Sequence, residues 1–366
     1  MRLLEEGQMI RDTYEVERLL GEGAFAEVYR VKHRFLGRQA MKVFKRVGMS
    51  FGEIQEMLGE AILLTHLRHP NIISVADANV FETPRGACGY FTMEHVSGGS
   101  LDKFWRSHAG RLVPVETAVD LVKQVCRGIA QAHREQPPII HRDIKPQNIL
   151  VGYEADGLRA RVSDFGLAKK VNPLTLLATA AGTLPFKPPE AFAARQGDSC
   201  AADVWAIGTT LYLLLTDRLP FVQPAENSWD AKRSFDQPVT PPSQLNSLIT
   251  RSLDKITLKA LEIRPQDRYP TARELLDALE QCRPGATESS SKSGLASREP
   301  TKAALGQASP LKASVAQELA QRALRASRAG RLGEAADFME EAFNKSPELR
   351  DKYAVQVKLW RCGVSM

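Results

Sequence analysis

A short stretch near the middle of the chain combines residue types that could handle phosphate and metal. Residues 141–148 read His-Arg-Asp-Ile-Lys-Pro-Gln-Asn, and a second carboxylate, Asp164, follows another strand-like run. Two carboxylates and an amide on neighbouring turns can hold a divalent cation against phosphate oxygens, and one carboxylate can accept a proton from a hydroxyl. Alone, the stretch could also be a polar turn that caps strands. Together with the elements around it, it indicates phosphoryl transfer.

Three predicted elements precede this stretch and could help to position the groups that it acts on. Residues 14–31 alternate in polarity around Gly21 and Gly23, which predicts a β-hairpin whose backbone can approach a phosphate closely. A single lysine, Lys42, interrupts the apolar strand of residues 39–44. Apolar residues then recur with a helical period from 51 to 67, which predicts one helix. A lone lysine on a strand is normally solvated, so its role depends on these neighbours.

The part of the chain that follows residue 67 is predicted to be mainly helical. A strand at residues 90–93 leads to a glycine-containing segment, and helical spacing extends from Val115 to Arg134. The longest apolar run, residues 204–215, is too short to span a bilayer and predicts a buried helix. We therefore expect a sheet-rich part followed by a helical part.

The bulk composition excludes several classes of protein. The chain has 366 residues, a net charge of +6 and five scattered cysteines without metal-site spacing. Its length suggests two or three domains, and no dense basic run with interleaved aromatics indicates nucleic-acid binding. The N-terminus has no apolar signal-peptide core. We expect a soluble cytoplasmic protein with no disulfide framework, no membrane span and no nucleic-acid partner.

With these motifs in this order, the chain resembles the protein kinase family, in particular bacterial Ser/Thr protein kinases of the eukaryotic type. Ile144 stands at the Leu of the H-R-D-L-x-x-x-N motif, and Asp-Phe-Gly follows at 164–166. Ala26 replaces the third glycine of the glycine-rich loop, and Pro188 replaces the alanine of A-P-E. The resemblance implies an α+β, two-lobed protein-kinase-like fold with ATP and Mg²⁺ in the cleft.

The resemblance also implies roles for individual residues. Asp143 would accept the proton of the substrate hydroxyl, Lys145 would neutralise charge on the γ-phosphate, and Asn148 and Asp164 would hold Mg²⁺. Lys42 would contact the α- and β-phosphates and pair with Glu60, although Glu53 and Glu56 compete on composition. The remaining residues implied to bind ATP are Gly21, Gly23, Val28, Ala40, Met93, Glu94, Val96, Asp102 and Leu150.

Further residues are implied to be regulatory or structural. Thr175 and Thr179 are candidate phosphorylation sites in the activation segment between Asp164 and Glu190. Asp203 would brace the catalytic loop, and Glu190 would pair with Arg268. These assignments complete the implied kinase domain.

Composition divides the chain into three parts. The kinase domain is expected at 1–282, with an N-terminal lobe and hinge at 14–96 and a C-terminal lobe at 97–282; a flexible Ser/Gly/Pro-rich linker is expected at 283–311. The tail at 312–366 has the spacing of one tetratricopeptide-like helical hairpin, with Leu319, Leu332, Met339 and Phe343 on its apolar face.

The role of this tail is open from sequence. One such repeat cannot bury its apolar face alone. The hairpin should therefore dock on the kinase, pair with another chain by self-association, or cover the helices of a protein partner. An ordinary alanine-rich hairpin is the alternative, and residues 353–360 suggest a further helix.

The predicted function is transfer of the γ-phosphoryl group of ATP to Ser or Thr hydroxyls of proteins, including the chain itself. The alternative is a catalytically silent scaffold that binds partners through its C-terminal helices. The intact set of Lys42, Glu60, Asp143, Asn148 and Asp164 argues against this alternative. A small-molecule kinase is a third candidate, which Lys145 and the full-length activation segment disfavour.

Overall fold

A computed structural model describes most of the chain, in two compact units. The described residues are 2–45, 51–83, 86–108, 112–154, 157–165, 184–192, 199–221, 235, 237–282, 310–346 and 348–361. The first unit comprises Met1–Val96, Ser100–Leu150 and Ala160–Pro284. The second comprises Ser97–Gly99, Val151–Arg159 and Gly285–Met366.

An antiparallel six-stranded sheet forms the N-terminal part of the first unit. In chain order its strands are β1 (Met9–Ile10), β2 (Tyr14–Glu22), β3 (Ala26–His33), β4 (Gly37–Phe44), β5 (Val75–Thr83) and β6 (Gly86–Glu94). Their spatial order in the sheet is β1-β2-β3-β4-β6-β5. The predicted hairpin of residues 14–31 is present as β2 and β3. Tyr29, Val31, Met41 and Tyr90 are buried in one core on this sheet.

Two helices, α1 (Phe51–Met57) and α2 (Gly59–His66), stand where one continuous helix was predicted. The prediction of a single helix over 51–67 is wrong at Leu58, which lies in a turn. Glycine at 59 is a weak helix former, so it lowers the cost of an interruption here. The chain remains close to helical, since the Ile62 N–H donates to the Leu58 carbonyl at 3.0 Å.

The rest of the first unit is mainly helical. The predicted amphipathic helix ends one residue early, at His133, and the predicted buried helix begins at Cys200 and is almost wholly buried. Of the helices that the structure describes, none combines the length and apolar character needed to cross a membrane. The helices are α3 (Leu101–Arg106), α4 (Val115–His133), α5 (Cys200–Thr216), α6 (Pro242–Leu245), α7 (Arg251–Ala260) and α8 (Ala272–Gln281).

Gly128 in α4 marks a close approach between this helix and the chain at Asn71. A Cβ at Gly128 would lie 2.6 Å from the Asn71 carbonyl oxygen. Alanine normally stabilises a helix interior by about 0.5–1 kcal/mol relative to glycine. We expect Gly128→Ala instead to lower the free energy of unfolding by about 1–3 kcal/mol, because the backbone must shift. Urea denaturation measures the change.

Gly52→Ala in α1 is the matched control for this prediction. A Cβ at Gly52 would meet nothing within 4 Å, so this variant should be neutral or stabilising. Equal unfolding free energies for the two variants would contradict the close approach at Asn71.

The second unit joins the C-terminal helices to strand residues from the middle of the chain. Strands β7 (Ile149–Glu154) and β8 (Gly157–Val162) form a two-stranded sheet, named here the β7–β8 hairpin, of which residues 151–159 belong to the second unit. The tail contains α9 (Pro310–Arg328), α10 (Leu332–Lys345) and α11 (Glu348–Arg361), so helix begins two residues before the expected start of the tail at 312. Proline suits a first helical position. Residues 283–309 of the expected linker lie outside the described residues.

The predicted apolar face of the tail is buried in the second unit. Leu319, Met339 and Phe343 lie in one core with Trp360 from α11, and Leu332 packs against it. Tyr153 of the β7–β8 hairpin belongs to the same core. The tail therefore packs on a strand pair that lies within residues 1–282.

Candidate active site

The catalytic loop is held by a buried carboxylate on α5. Asp203 is 1% exposed and accepts hydrogen bonds from the backbone N–H groups of His141 (2.8 Å) and Arg142 (2.9 Å). His133, at the end of α4, places its Nε2 at 3.0 Å from the same carboxylate. Arg142 has a φ of 67°, a left-handed conformation that is costly for a non-glycine residue. Asp203 therefore holds the loop in a strained conformation just before Asp143.

His141 links the two catalytic segments. Its Nε2 donates to the Ser163 carbonyl at 3.0 Å, and its Nδ1 accepts from the Asp143 backbone N–H at 3.2 Å. Its ring centroid lies 4.5 Å from that of Phe165. Burial lowers the pKa of His141, which outweighs the nearby carboxylates and keeps the ring neutral. One nitrogen can thus donate while the other accepts, as a structural residue requires.

Asp143 lies between an amide and an ammonium group. Asn148 Nδ2 donates to the Asp143 carbonyl oxygen (2.8 Å) and to its Oδ2 (2.9 Å), and Lys145 Nζ lies 2.9 Å from the same Oδ2. The Asp143 side chain is 26% exposed, so a hydroxyl can still reach the carboxylate. This carboxylate is fixed in orientation and available as a proton acceptor.

Asp164 pairs with Lys42 across a large separation in sequence. Lys42 is largely buried on β4, and its ammonium group donates directly to Asp164 Oδ1. Burial by itself would raise the pKa of Asp164, but the charge and hydrogen bond of Lys42 outweigh it and lower that pKa. Asp164 also has a positive φ of 61°, so a strained backbone aims its carboxylate.

Asn148 and Asp164 are brought together through Ser163. The Ser163 backbone N–H and hydroxyl both donate to the Asn148 carbonyl, at 2.9 Å and 3.1 Å. Because Asn148 uses its Nδ2 on Asp143, its side-chain oxygen is the atom left to face a cation. A carboxylate and an amide oxygen are donors that Mg²⁺ prefers. The residues present therefore fit the predicted Mg²⁺.

The strand registers align the predicted nucleotide-binding residues. Gly21 pairs with Val28, and Val28 pairs with Lys42, so these three residues follow one line across β2, β3 and β4. Ala40 pairs with Met93 on β6, and both are buried. Gly23 lies in the β2–β3 turn, where its N–H donates to the Ala26 carbonyl at 2.8 Å.

The residues predicted to contact the adenine and the ribose lie on β6 and in the segments that follow it and the catalytic loop. The Glu94 backbone N–H donates to the Ser74 carbonyl at 3.0 Å, so an adenine edge would meet Glu94 through its carbonyl group. Val96 follows two residues later, and Leu150 forms an isolated bridge with Ser100. Asp102, assigned to the ribose, accepts from Arg106 Nε at 2.9 Å and Gln147 Nε2 at 3.1 Å. Contact between Asp102 and a ribose would require one of these bonds to be exchanged.

Of the remaining predicted residues, two lie away from Asp143 and three have positions or side chains outside the described residues. Glu190 and Arg268 form a two-point ion pair, with both N···O distances 2.7 Å. Glu60 lies in α2, but its side chain is outside the described residues, so its pairing with Lys42 stays a prediction. Thr175 and Thr179 also lie outside the described residues, as do all of 166–183.

Sequence reasoning missed three contacts of this site. These are the contacts of Ser163 with the Asn148 carbonyl, of His133 with Asp203 and of Lys187 with the catalytic loop. Lys187 Nζ donates to the Arg142 carbonyl at 2.7 Å. A histidine on the buried stripe of α4 was the one available signal, because a buried polar side chain needs a partner.

Comparison with known proteins agrees with this geometry. The chain belongs to the protein kinase family, whose domain matches residues 14–279. It is 33% identical to the serine/threonine-protein kinase PknB of Mycobacterium leprae over 273 residues, which is 73% of this chain and 42% of that protein. It is 31% identical to a probable serine/threonine-protein kinase of Clostridium perfringens, over 78% of this chain and 40% of that protein.

A solved structure gives the same result. The crystal structure of the Mycobacterium tuberculosis PknI kinase domain matches with a TM-score of 0.55 and 26% identity, covering 76% of this chain and 99% of that domain. The predicted protein-kinase fold is thereby confirmed. This chain spans about two-fifths of the length of the curated relatives described above. The matched domain ends at residue 279, so the tetratricopeptide-like character of the tail stays a prediction.

Proposed function

We propose that the chain is an ATP-dependent protein kinase that transfers the γ-phosphoryl group to Ser or Thr hydroxyls. The observation that supports this proposal is the environment of the Asp143 carboxylate, which is half-buried, oriented by Asn148 and paired with Lys145. That arrangement suits a base that accepts a hydroxyl proton beside a cation that neutralises phosphate charge. The named relatives in bacteria carry the same Ser/Thr specificity in their names.

The remaining site residues would bind the nucleotide phosphates and the cation. Lys42 would contact the α- and β-phosphates, and Asn148 and Asp164 would hold Mg²⁺ through their side-chain oxygens. When bound, Mg²⁺ would supply charge neutralisation on the phosphates. Glu60 would form the ion pair with Lys42 when Asp164 binds the cation, because a buried ammonium requires an anionic partner.

Phosphate incorporation from labelled ATP tests the proposal on the full chain. We expect incorporation into Ser or Thr of the chain itself and of a generic protein, dependent on Mg²⁺ and abolished by EDTA. Peptide mapping would show whether Thr175 and Thr179 are among the sites. Asp143→Asn is the matched inactive variant.

Two results would overturn the proposal. The first is absence of incorporation with no thermal stabilisation by Mg²⁺ and ATP, which would favour the scaffold function. The second is transfer to small metabolites without transfer to protein, which would favour a small-molecule kinase. The protein substrate and any partner of the C-terminal helices are left to this experiment and to pull-down with the intact chain.

A further inference from the structure

The peptide unit that joins Arg142 to Asp143 is held at both of its polar groups. The Asp143 N–H donates to His141 Nδ1 at 3.2 Å, and the Arg142 carbonyl accepts a hydrogen bond of 2.7 Å from Lys187 Nζ. Because a peptide unit is planar and includes the Cα of Asp143, its orientation sets the direction in which the Asp143 side chain leaves the backbone. Lys187 therefore acts on the backbone that carries the proposed base.

The conformation of Arg142 needs such support. Its φ of 67° is left-handed, which a residue with a Cβ keeps only where the surrounding bonds outweigh the cost. Asp203 holds one side of Arg142 through its N–H, and Lys187 holds the other side through its carbonyl. A hydrogen bond from an ammonium group is charge-assisted and stronger than a neutral one. Removing the ammonium group would withdraw the support on the carbonyl side and let the peptide plane tilt.

The segment that carries Lys187 is itself anchored. The Lys187 N–H donates to the Leu184 carbonyl at 3.1 Å, at the end of a 3-10 turn over Leu184–Phe186. Three residues further on, Glu190 binds Arg268 at two points. Arg268 also donates, at 3.1 Å, to a carbonyl in the first turn of α5, the helix whose carboxylate binds the catalytic loop. Both supports of the strained residue thus come from one connected framework within the first unit.

The contact of Lys187 is not the usual placement of a lysine. A partly exposed lysine ordinarily extends its amine into water and keeps its rotamer freedom. Lys187 instead directs its amine to a backbone carbonyl 45 residues away in sequence. That carbonyl belongs to the residue directly before Asp143, so the contact bears on the base as well as on the packing of the segment.

We propose that Lys187 is a positioning residue for phosphoryl transfer, whose ammonium group fixes the Arg142–Asp143 peptide and thereby the direction of the Asp143 carboxylate. Its catalytic consequence rests on the proposed kinase function. The side-chain partners of Asp143, Asn148 and Lys145, do not depend on Lys187, so its loss should misalign the base rather than remove it. A misplacement of about 1 Å at a reacting centre can cost about 10²-fold in rate.

Lys187→Met tests the proposal in the full chain, because it removes the donor and keeps a long apolar stem. We expect kcat for phosphate transfer to fall by about tenfold to a hundredfold, with KM for ATP within about twofold of wild type. Lys187→Arg, which keeps a cationic donor, should recover a large part of the rate. Lys255→Met, the same substitution at an exposed position of α7, should leave both constants unchanged.

A double-mutant cycle with Asp143→Asn separates positioning of the base from a general structural loss. If Lys187 acts through Asp143, adding Lys187→Met to Asp143→Asn should change the residual rate by no more than about twofold. A structural loss would lower the residual rate by the same factor as in the unmodified chain. That second result would contradict the proposal.

Amide exchange measured by NMR supplies a readout that does not need turnover. In Lys187→Met the Asp143 amide should exchange about tenfold or more faster than in the unmodified chain. The Ser163 amide, bonded to the Asn148 carbonyl at 2.9 Å, and the amides of α8 should keep their protection. Unchanged exchange at Asp143 would show that Lys187 does not hold this peptide and would overturn the proposal. An unmodified chain that transfers no phosphate would instead count against the proposed function, since the exchange result does not depend on activity.

Discussion

Replacing Asp143 with asparagine is expected to lower kcat for phosphoryl transfer by about 10²–10⁴-fold, the range supplied by a positioned general base. Asparagine has nearly the same shape, so it can still accept the bond that Asn148 Nδ2 donates at 2.9 Å. It cannot accept a proton from a substrate hydroxyl or pair with Lys145 as a charge. Initial rates at saturating ATP and Mg²⁺ measure the effect.

Binding of the nucleotide should survive this substitution. Asp143 is assigned to neither ATP nor Mg²⁺, so stabilisation of the variant by Mg²⁺ and ATP in thermal unfolding should match that of the unmodified chain. Asp277→Asn, in an exposed pair on α8, is the matched control and should keep full activity. A rate within tenfold of wild type for Asp143→Asn would rule out Asp143 as the base.

Removing Arg268 is expected to lower the free energy of unfolding by about 3–5 kcal/mol, because a buried ion pair would lose one partner. The Arg268 side chain is fully buried, and its guanidinium lies 4.8 Å from the centroid of the Trp205 ring. All five of its N–H donors are used. They bind both oxygens of Glu190 and the carbonyls of Ala201, Glu262 and Ile263.

Urea denaturation of Arg268→Ala tests this value, with Arg273→Ala as the matched control. Arg273 pairs with Asp277 at 2.8 Å, but their side chains are 50% and 40% exposed. Exposed pairs contribute about 0–1 kcal/mol, so the control should change little. Arg268→Lys should recover only part of the loss, since one ammonium cannot reproduce the planar fork of donors. A loss below about 1 kcal/mol for Arg268→Ala would contradict the structural role of the pair.

Local sequence patterns were sufficient for the elements that have regular periodicity. Alternation around Gly21 and Gly23 predicts the β2–β3 hairpin, and helical spacing predicts α4 to within one residue. The break at Leu58 was missed because apolar residues keep a helical period on both sides of it. Periodicity records which face is buried, and it is insensitive to a single turn residue.

Contacts between distant residues could not be obtained in the same way. The Lys42–Asp164 pair joins positions 122 residues apart, and the Arg322–Tyr153 contact joins positions still farther apart. No local pattern marks either partner, since a lysine in a strand or an arginine in a helix is usually solvated. The motif resemblance supplied the candidates near Asp143, but it carries no information about the tail.

The position of Tyr153 limits which C-terminal regions could be joined to this domain by recombination. Tyr153 and Leu158 lie inside the matched range 14–279, yet they are packed by helices that begin at Pro310. The boundary of the family domain is thus not the boundary of a packing unit. Recombination that substituted a different C-terminal region would leave these two apolar side chains uncovered. A viable exchange would need compensating changes at positions 153 and 158 as well.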